Sequence, residues 1–153
     1  MLDQLQVFLL AMTPIGELRA GITAGLLVFK MSWWSSYFWA VSGNMFVVLL
    51  LLLLLQPVMS FLKQNFPRLG AILEHWSVRT DKHYAPLVRR YGYLVLVLLA
   101  AMPLPLVGGW TAALAAILFN IPLRLAFGLI TLGLLIAGVL VILLVQGGLV
   151  LAS

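Results

Sequence analysis

The sequence predicts an all-α integral membrane protein. It is read as two inverted repeats, each a broken re-entrant helical hairpin followed by a transmembrane helix, with an interfacial amphipathic helix between them. Three observations lead there. The chain is 64% hydrophobic and only 8% charged, where soluble domains carry about 25% charged residues, so polar groups are too few to cover a water-facing surface. Two runs, from Tyr37 to Leu55 and from Leu125 to Val145, hold no charge and reach the ~20 residues that cross a hydrocarbon core. Each is preceded by an apolar stretch that prolines and glycines interrupt. One membrane domain is expected, with repeats at 1–55 and 92–153 and a connector at 56–91.

Taken in order, the chain opens with Leu5 to Met12, apolar but too short to span alone. The opening residues lack a basic n-region and a small-residue cleavage site, so they are read as mature sequence rather than a signal peptide. Thr13-Pro14 then reads as a helix restart, with Thr13 as N-cap and Pro14 at the first helical position. Glu17 follows in the first turn, where the helix dipole favours a carboxylate. Pro14, Gly16, Gly21 and Gly25 weaken or interrupt the helix around it. These residues fit an ordinary kinked span as well as a segment that enters and returns.

Glu17 and Arg19 stand out because they lie in a run otherwise apolar enough for lipid. A charge at membrane depth costs at least ~2.5–3.5 kcal/mol on insertion scales, so such residues mark a pathway or a partner. Irregular backbone at that depth persists only where it is buried in protein or lines a wet cavity.

Lys30 closes the first segment. Trp33, Trp34, Tyr37 and Trp39 come next and suit anchoring at headgroup level. The span that follows carries Ser42, Gly43 and Asn44, which read as helix-packing residues. Six of the nine Lys and Arg residues (Lys63, Arg68, Arg79, Lys82, Arg89 and Arg90) fall in the connector. There Leu69, Ile72, Leu73 and Trp76 recur at helical spacing opposite Arg68, Glu74, His75 and Arg79, as in an interfacial helix. Glu74, His75, Asp81 and His83 match no zinc spacing and read as a solvated face. A basic connector beside spans sets topology or meets anionic lipid, and no nucleic-acid motif accompanies it.

The second half is apolar from Tyr93 to Phe119 but broken by Pro103, Pro105, Gly108 and Gly109, which no continuous helix accommodates. Asn120-Ile121-Pro122 turns the chain into the second span. The two breaks share spacing: Ala11-Met12 precedes Phe29 as Ala101-Met102 precedes Phe119. Matched interrupted segments in two halves are the sequence signature of a transporter-type site. Two hairpins leave only Lys30 outside, whereas four full spans would place Lys30 and Arg124 both outside, so the positive-inside rule favours hairpins by one charge. The connector is then cytoplasmic and the spans are antiparallel.

The residues Glu17-Leu18-Arg19 with Ala20-Gly21-Ile22 resemble the E-L-R-x-x-I-P element of the small multidrug export protein family, a relative of the DedA, or VTT-domain, membrane proteins. In the second half, Arg90-Tyr91-Gly92, Pro103-Leu104-Pro105 and Gly108-Gly109-Trp110-Thr111 are similar to the family's P-x-P-G-T-G-A-W-T-G signature. Thr23 stands where that family has Pro, and Leu106-Val107 replaces Gly-Thr. The resemblance implies paired re-entrant hairpins in a prokaryotic inner membrane, and ion-coupled transport.

The function expected is therefore a small multi-pass transporter, coupled to protons or cations, moving a small solute that can be anionic. The alternatives are a flippase or scramblase for phospholipid or polyprenyl-phosphate headgroups, and a non-transporting assembly factor. The candidate binding residues are Glu17, Arg19, Pro14 and Gly21 from the first half, facing Pro103, Pro105, Gly108, Gly109 and Trp110 from the second. Burial and Arg19 pull the Glu17 carboxyl in opposite directions, which suits a group that takes and releases a proton. The same pair also fits a structural ion pair. No nucleophile–base pair or metal cluster is present, so neither an enzyme nor a cofactor is expected. The absence of cysteine excludes disulfides and thiolate chemistry. Two spans enclose little pathway, so a homodimer is expected.

Overall fold

The apolar runs and their breaks translate directly into helices and interruptions. The computed structural model describes residues 2–14, 16–65, 92–102, 108–119 and 121–152. All regular structure among them is helical: α1 (Leu2–Met12), α2 (Glu17–Thr23), α3 (Trp33–Asn65), α4 (Leu94–Ala101), α5 (Gly109–Leu118) and α6 (Leu123–Ala152), with a π-helical turn over Ala24–Val28 extending α2. The connector stripe at Leu69, Ile72, Leu73 and Trp76, the histidines, Pro103, Pro105 and Asn120 lie outside the described residues. Two helices, over Trp33–Leu54 and Leu123–Gly148, are long and apolar enough to cross a membrane. The protein is membrane-associated, as its composition requires. α3 runs through Pro57 to Asn65, ten residues past the boundary that the polarity at Gln56 suggests.

The element order repeats: a short helix, a break, a second short helix, a turn and a long helix. Corresponding points lie 90 residues apart, with helix ends at Met12 and Ala101-Met102, caps at Phe29 and Phe119, and span starts at Trp33 and Leu123. Both turns close on the same wide bond, from the Phe29 N–H to the Ala24 carbonyl and from the Ile121 N–H to the Ala116 carbonyl, each at 2.9 Å.

The first segment is not one straight helix. α1 and α2 fold back on each other, so that a Cβ on Gly21 would stand 3.0 Å from the Ala11 Cβ and 3.1 Å from the Val7 carbonyl oxygen. On a straight helix, at 1.5 Å per residue, Val7 and Gly21 would be about 21 Å apart. The helix restarts later than Thr13-Pro14 suggests: α2 begins at Glu17 with Gly16 as its N-cap. Thr13 instead closes the preceding turn, its Oγ1 accepting the Gly16 N–H at 3.1 Å and donating to the Leu10 carbonyl at 2.8 Å.

Packing sorts the helices reciprocally. α1 lies on α3 and α4 on α6, so each half holds its own first arm. The second arms cross over: α2 also packs on α6, and α5 on α3. The spans run antiparallel. Val48 and Leu52 of α3 share a core with Ala126, Ile130 and Leu134 of α6, while the earlier Ala40 and Val41 meet the later Ala137, Val141 and Ile142. Small residues permit close packing: a Cβ on Gly138 of α6 would strike the Tyr37 ring of α3, and one on Gly43 would strike the Phe8 carbonyl of α1. At the start of α3, Trp33 and Trp34 stack at 3.8 Å and stay exposed, as an interfacial anchor requires. Tyr37 reaches across to donate to the Leu135 carbonyl at 3.1 Å.

Candidate functional site where the two halves meet

The two charges of α2 meet the two ends of the opposite break. α4 stops at Ala101 because Pro103 and Pro105 cannot continue it, leaving C-terminal carbonyls without helical partners. Arg19 Nη2 donates to one of them, the Met102 oxygen, at 2.9 Å. α5 restarts at Gly109, exposing N-terminal N–H groups, and the Trp110 N–H donates to the Glu17 carboxylate. An acid thus sits at a helix N-terminus and a base at a helix C-terminus, the arrangement that both dipoles favour.

Local backbone enforces this. Glu17 has φ of +48°, one of two non-glycine residues among those described with a positive value. That left-handed conformation is unfavourable for a side chain with a Cβ and persists only where the surroundings over-determine it. Across the seam, Gly108 leaves the space the carboxylate uses, because a Cβ there would fall on Glu17 Oε2. Thr111 finishes the α5 start, its Oγ1 accepting the Gly108 N–H at 2.9 Å and donating to the Gly108 carbonyl at 3.0 Å.

Glu17 is 5% exposed and Oε1, its second oxygen, has no hydrogen-bond partner. Both carboxylate oxygens lie beside Gly108, Oε2 the nearer. Asn44, read from sequence as a packing residue, is fully buried against the next glycine: a Cβ on Gly109 would fall on Asn44 Oδ1. Neither atom of its amide has a partner, and Trp110 Nε1 and Thr131 Oγ1 are also buried without one. Such groups are rare in native proteins. The placement of Asn44 against Gly109, next to the Glu17–Gly108 contact, was invisible in the sequence, where a single Asn in a span looks like packing.

Of the candidate residues, the structure brings together Glu17, Arg19, Gly108, Gly109 and Trp110. Pro14 stands exposed on the turn between α1 and α2, and Gly21 seats α2 against α1 and Ala40 of α3, so neither faces the seam. Pro103 and Pro105 lie outside the described residues. Among the described residues no three His, Cys, Asp or Glu side chains gather.

No curated protein and no solved structure matches the chain. A family model does, and its match begins at Glu17 and takes in both sides of the seam. It covers residues 17–140, which is 124 of the 153 residues. With the E-L-R element and the G-G-W-T element joined in space as well as present in sequence, the chain belongs to the family described as "Putative small multi-drug export protein".

Proposed function

We propose that the chain is a proton- or cation-coupled transporter of small organic solutes, in which Glu17 carries the coupling charge. The observation that carries this reading is the buried, strained Glu17, held on the N-terminus of α5 with one oxygen unpartnered. Protonation weakens a carboxylate's hold on a helix N-terminus, since it removes the charge that the dipole and the N–H favour. Release of Trp110 would free α5 to move against α2. Arg19, once it leaves the Met102 carbonyl, offers a planar donor fork to an anionic group on the solute. The family name points to export of several small compounds. No covalent step is assigned.

Each short-helix pair is read as a re-entrant hairpin and the halves as inverted repeats. The fold-back of α1 on α2, the reciprocal packing and the antiparallel spans support this; four full spans would make α3 and α6 parallel. Such a seam near the midplane, built from broken helices, is where transporters hold substrate and ion. The setting is a prokaryotic inner membrane, with the 56–91 connector cytoplasmic and a second copy completing the pathway.

In proteoliposomes with an imposed pH gradient, the wild type should move a fluorescent organic anion such as carboxyfluorescein. Glu17→Gln should remain folded and lose that flux. A Glu17→Gln protein that transports at the wild-type rate would overturn the coupling role.

One observation favours lipid as the cargo instead. A lateral groove of about 380 Å³ at the Trp33 end of the spans is lined by Trp33, Trp34, Tyr37, Val139, Ile142 and Leu143, with Gln146 beside them. Its apolar wall suits an acyl chain and would place a headgroup at the aromatic belt. A thermal shift that depends on headgroup, with soluble anions inert, would select this DedA-like reading.

A further inference from the structure

We infer that Glu17 and Asn44 are ligands of one binding site for a dehydrated monovalent cation of sodium's class. The inference deepens the transport reading and rests on the same buried carboxylate.

The described residues contain three buried polar or charged side chains, Glu17, Ser36 and Asn44. Ser36 is satisfied, donating to the Ser32 carbonyl at 3.1 Å. Glu17 Oε1 and the Asn44 amide are not. An unsatisfied buried polar atom costs about 1–3 kcal/mol, more when charged, so two together in an apolar interior call for a shared partner. The pair is placed to share one. Glu17 lies against Gly108 and Asn44 against Gly109, consecutive residues whose Cα atoms are about 3.8 Å apart.

The chemistry of the available atoms selects the partner. Glu17 Oε1 and Asn44 Oδ1 are oxygen acceptors, and Thr131 Oγ1, also buried and unpartnered, lies on α6 one turn before Leu134, whose Cδ2 stands 3.4 Å from the Gly109 Cβ position. A carboxylate, an amide oxygen and a hydroxyl are hard ligands, suited to hard cations rather than to zinc or copper. One carboxylate supplies one negative charge, which matches a monovalent ion. Oε2 is the Glu17 oxygen nearer Gly108, and Oε1 is the one left without a partner. Arg19, whose guanidinium also acts electrostatically on Glu17, gives one hydrogen bond to Met102 at the far lip of the break. A proton and the cation would compete for the same oxygen, so the site itself exchanges one for the other.

The test uses purified full-length protein in detergent, with unfolding temperature measured in sodium, potassium and choline chloride at equal ionic strength. Sodium should raise the unfolding temperature over choline in a saturable way. Asn44→Ala and Glu17→Gln should each lose that increment, while Asn44→Asp, which keeps an oxygen in place, should retain it. If the variants do not fold, binding of radioactive sodium to the wild type decides, and it should weaken about tenfold per pH unit once protons compete. Equal unfolding temperatures in sodium and choline, with no measurable sodium binding, would mean a bridging water and would overturn the site. The two readings fail separately. Sodium binding with no gradient-driven flux sinks transport and leaves the site, whereas proton-driven flux indifferent to sodium sinks the site and leaves transport.

Discussion

Arg19 and Met102, 83 residues apart in sequence, are joined by a 2.9 Å hydrogen bond from the guanidinium to the backbone carbonyl that ends α4. The bond answers an orphan carbonyl with a cation at the negative end of a helix, and it ties the first half to the second. Arg19→Ala removes both effects. Because Arg19 is only half-buried, the expected loss is about 1.5 kcal/mol, the low end for a charge-assisted bond. Arg19→Lys should recover part of it, since an ammonium can reach one carbonyl without the fork. Thermal unfolding of the three proteins in one detergent checks this.

Gly108 and Glu17 should be coupled energetically. Gly108→Ala places a methyl on the Glu17 carboxylate, an overpacking that costs about 1–3 kcal/mol. Glu17→Ala clears that space. The double variant should therefore lose less stability than the two single losses added together. Strict additivity in a double-mutant cycle would show that the carboxylate does not occupy the space beside Gly108.

A structural ion pair and a working site make opposite forecasts for neutral variants. If Glu17 and Arg19 only hold the halves together, Glu17→Gln and Arg19→Gln should each lower the unfolding temperature, and the double variant should recover much of it. If Glu17 couples transport, Glu17→Gln should unfold near the wild-type temperature in choline chloride, its defects confined to flux and to the sodium-dependent increment. Paired unfolding and flux assays on the same preparations separate the two.

Topology is open to a direct labelling test. With re-entrant hairpins, Lys30 and Arg124 end up on opposite faces of the membrane. Single cysteines at Lys30→Cys and Arg124→Cys, in a chain that has no native cysteine, should react with an impermeant maleimide from outside at position 30 and only after permeabilisation at position 124. Labelling of both from one side would restore four full spans.

The sequence by itself determined the class of molecule, the two spans and the places where the chain breaks. Each of these rests on local physics: apolar length sets a span, and proline and glycine set its interruptions. Even the 90-residue repeat was visible in the Met-to-Phe spacing. That Glu17 and Arg19 need partners was legible too, because charge in an apolar run announces its own cost. The tertiary structure decided which groups those charges answer. Nothing local says that Glu17 meets the Trp110 N–H, that Arg19 meets Met102, or that Asn44 faces Gly109 with its amide unpartnered. In water-soluble helices a polar stripe marks the outer face, but here both faces of α6 are apolar. Leu132, Leu135 and Ile136 are exposed while Ile130, Leu134 and Ala137 are buried, and composition cannot tell them apart because lipid is as apolar as the core. The face that packs, and hence the partner across the seam, is chosen by shape and by the close approach that small residues allow, and those are properties of two segments brought together rather than of either one.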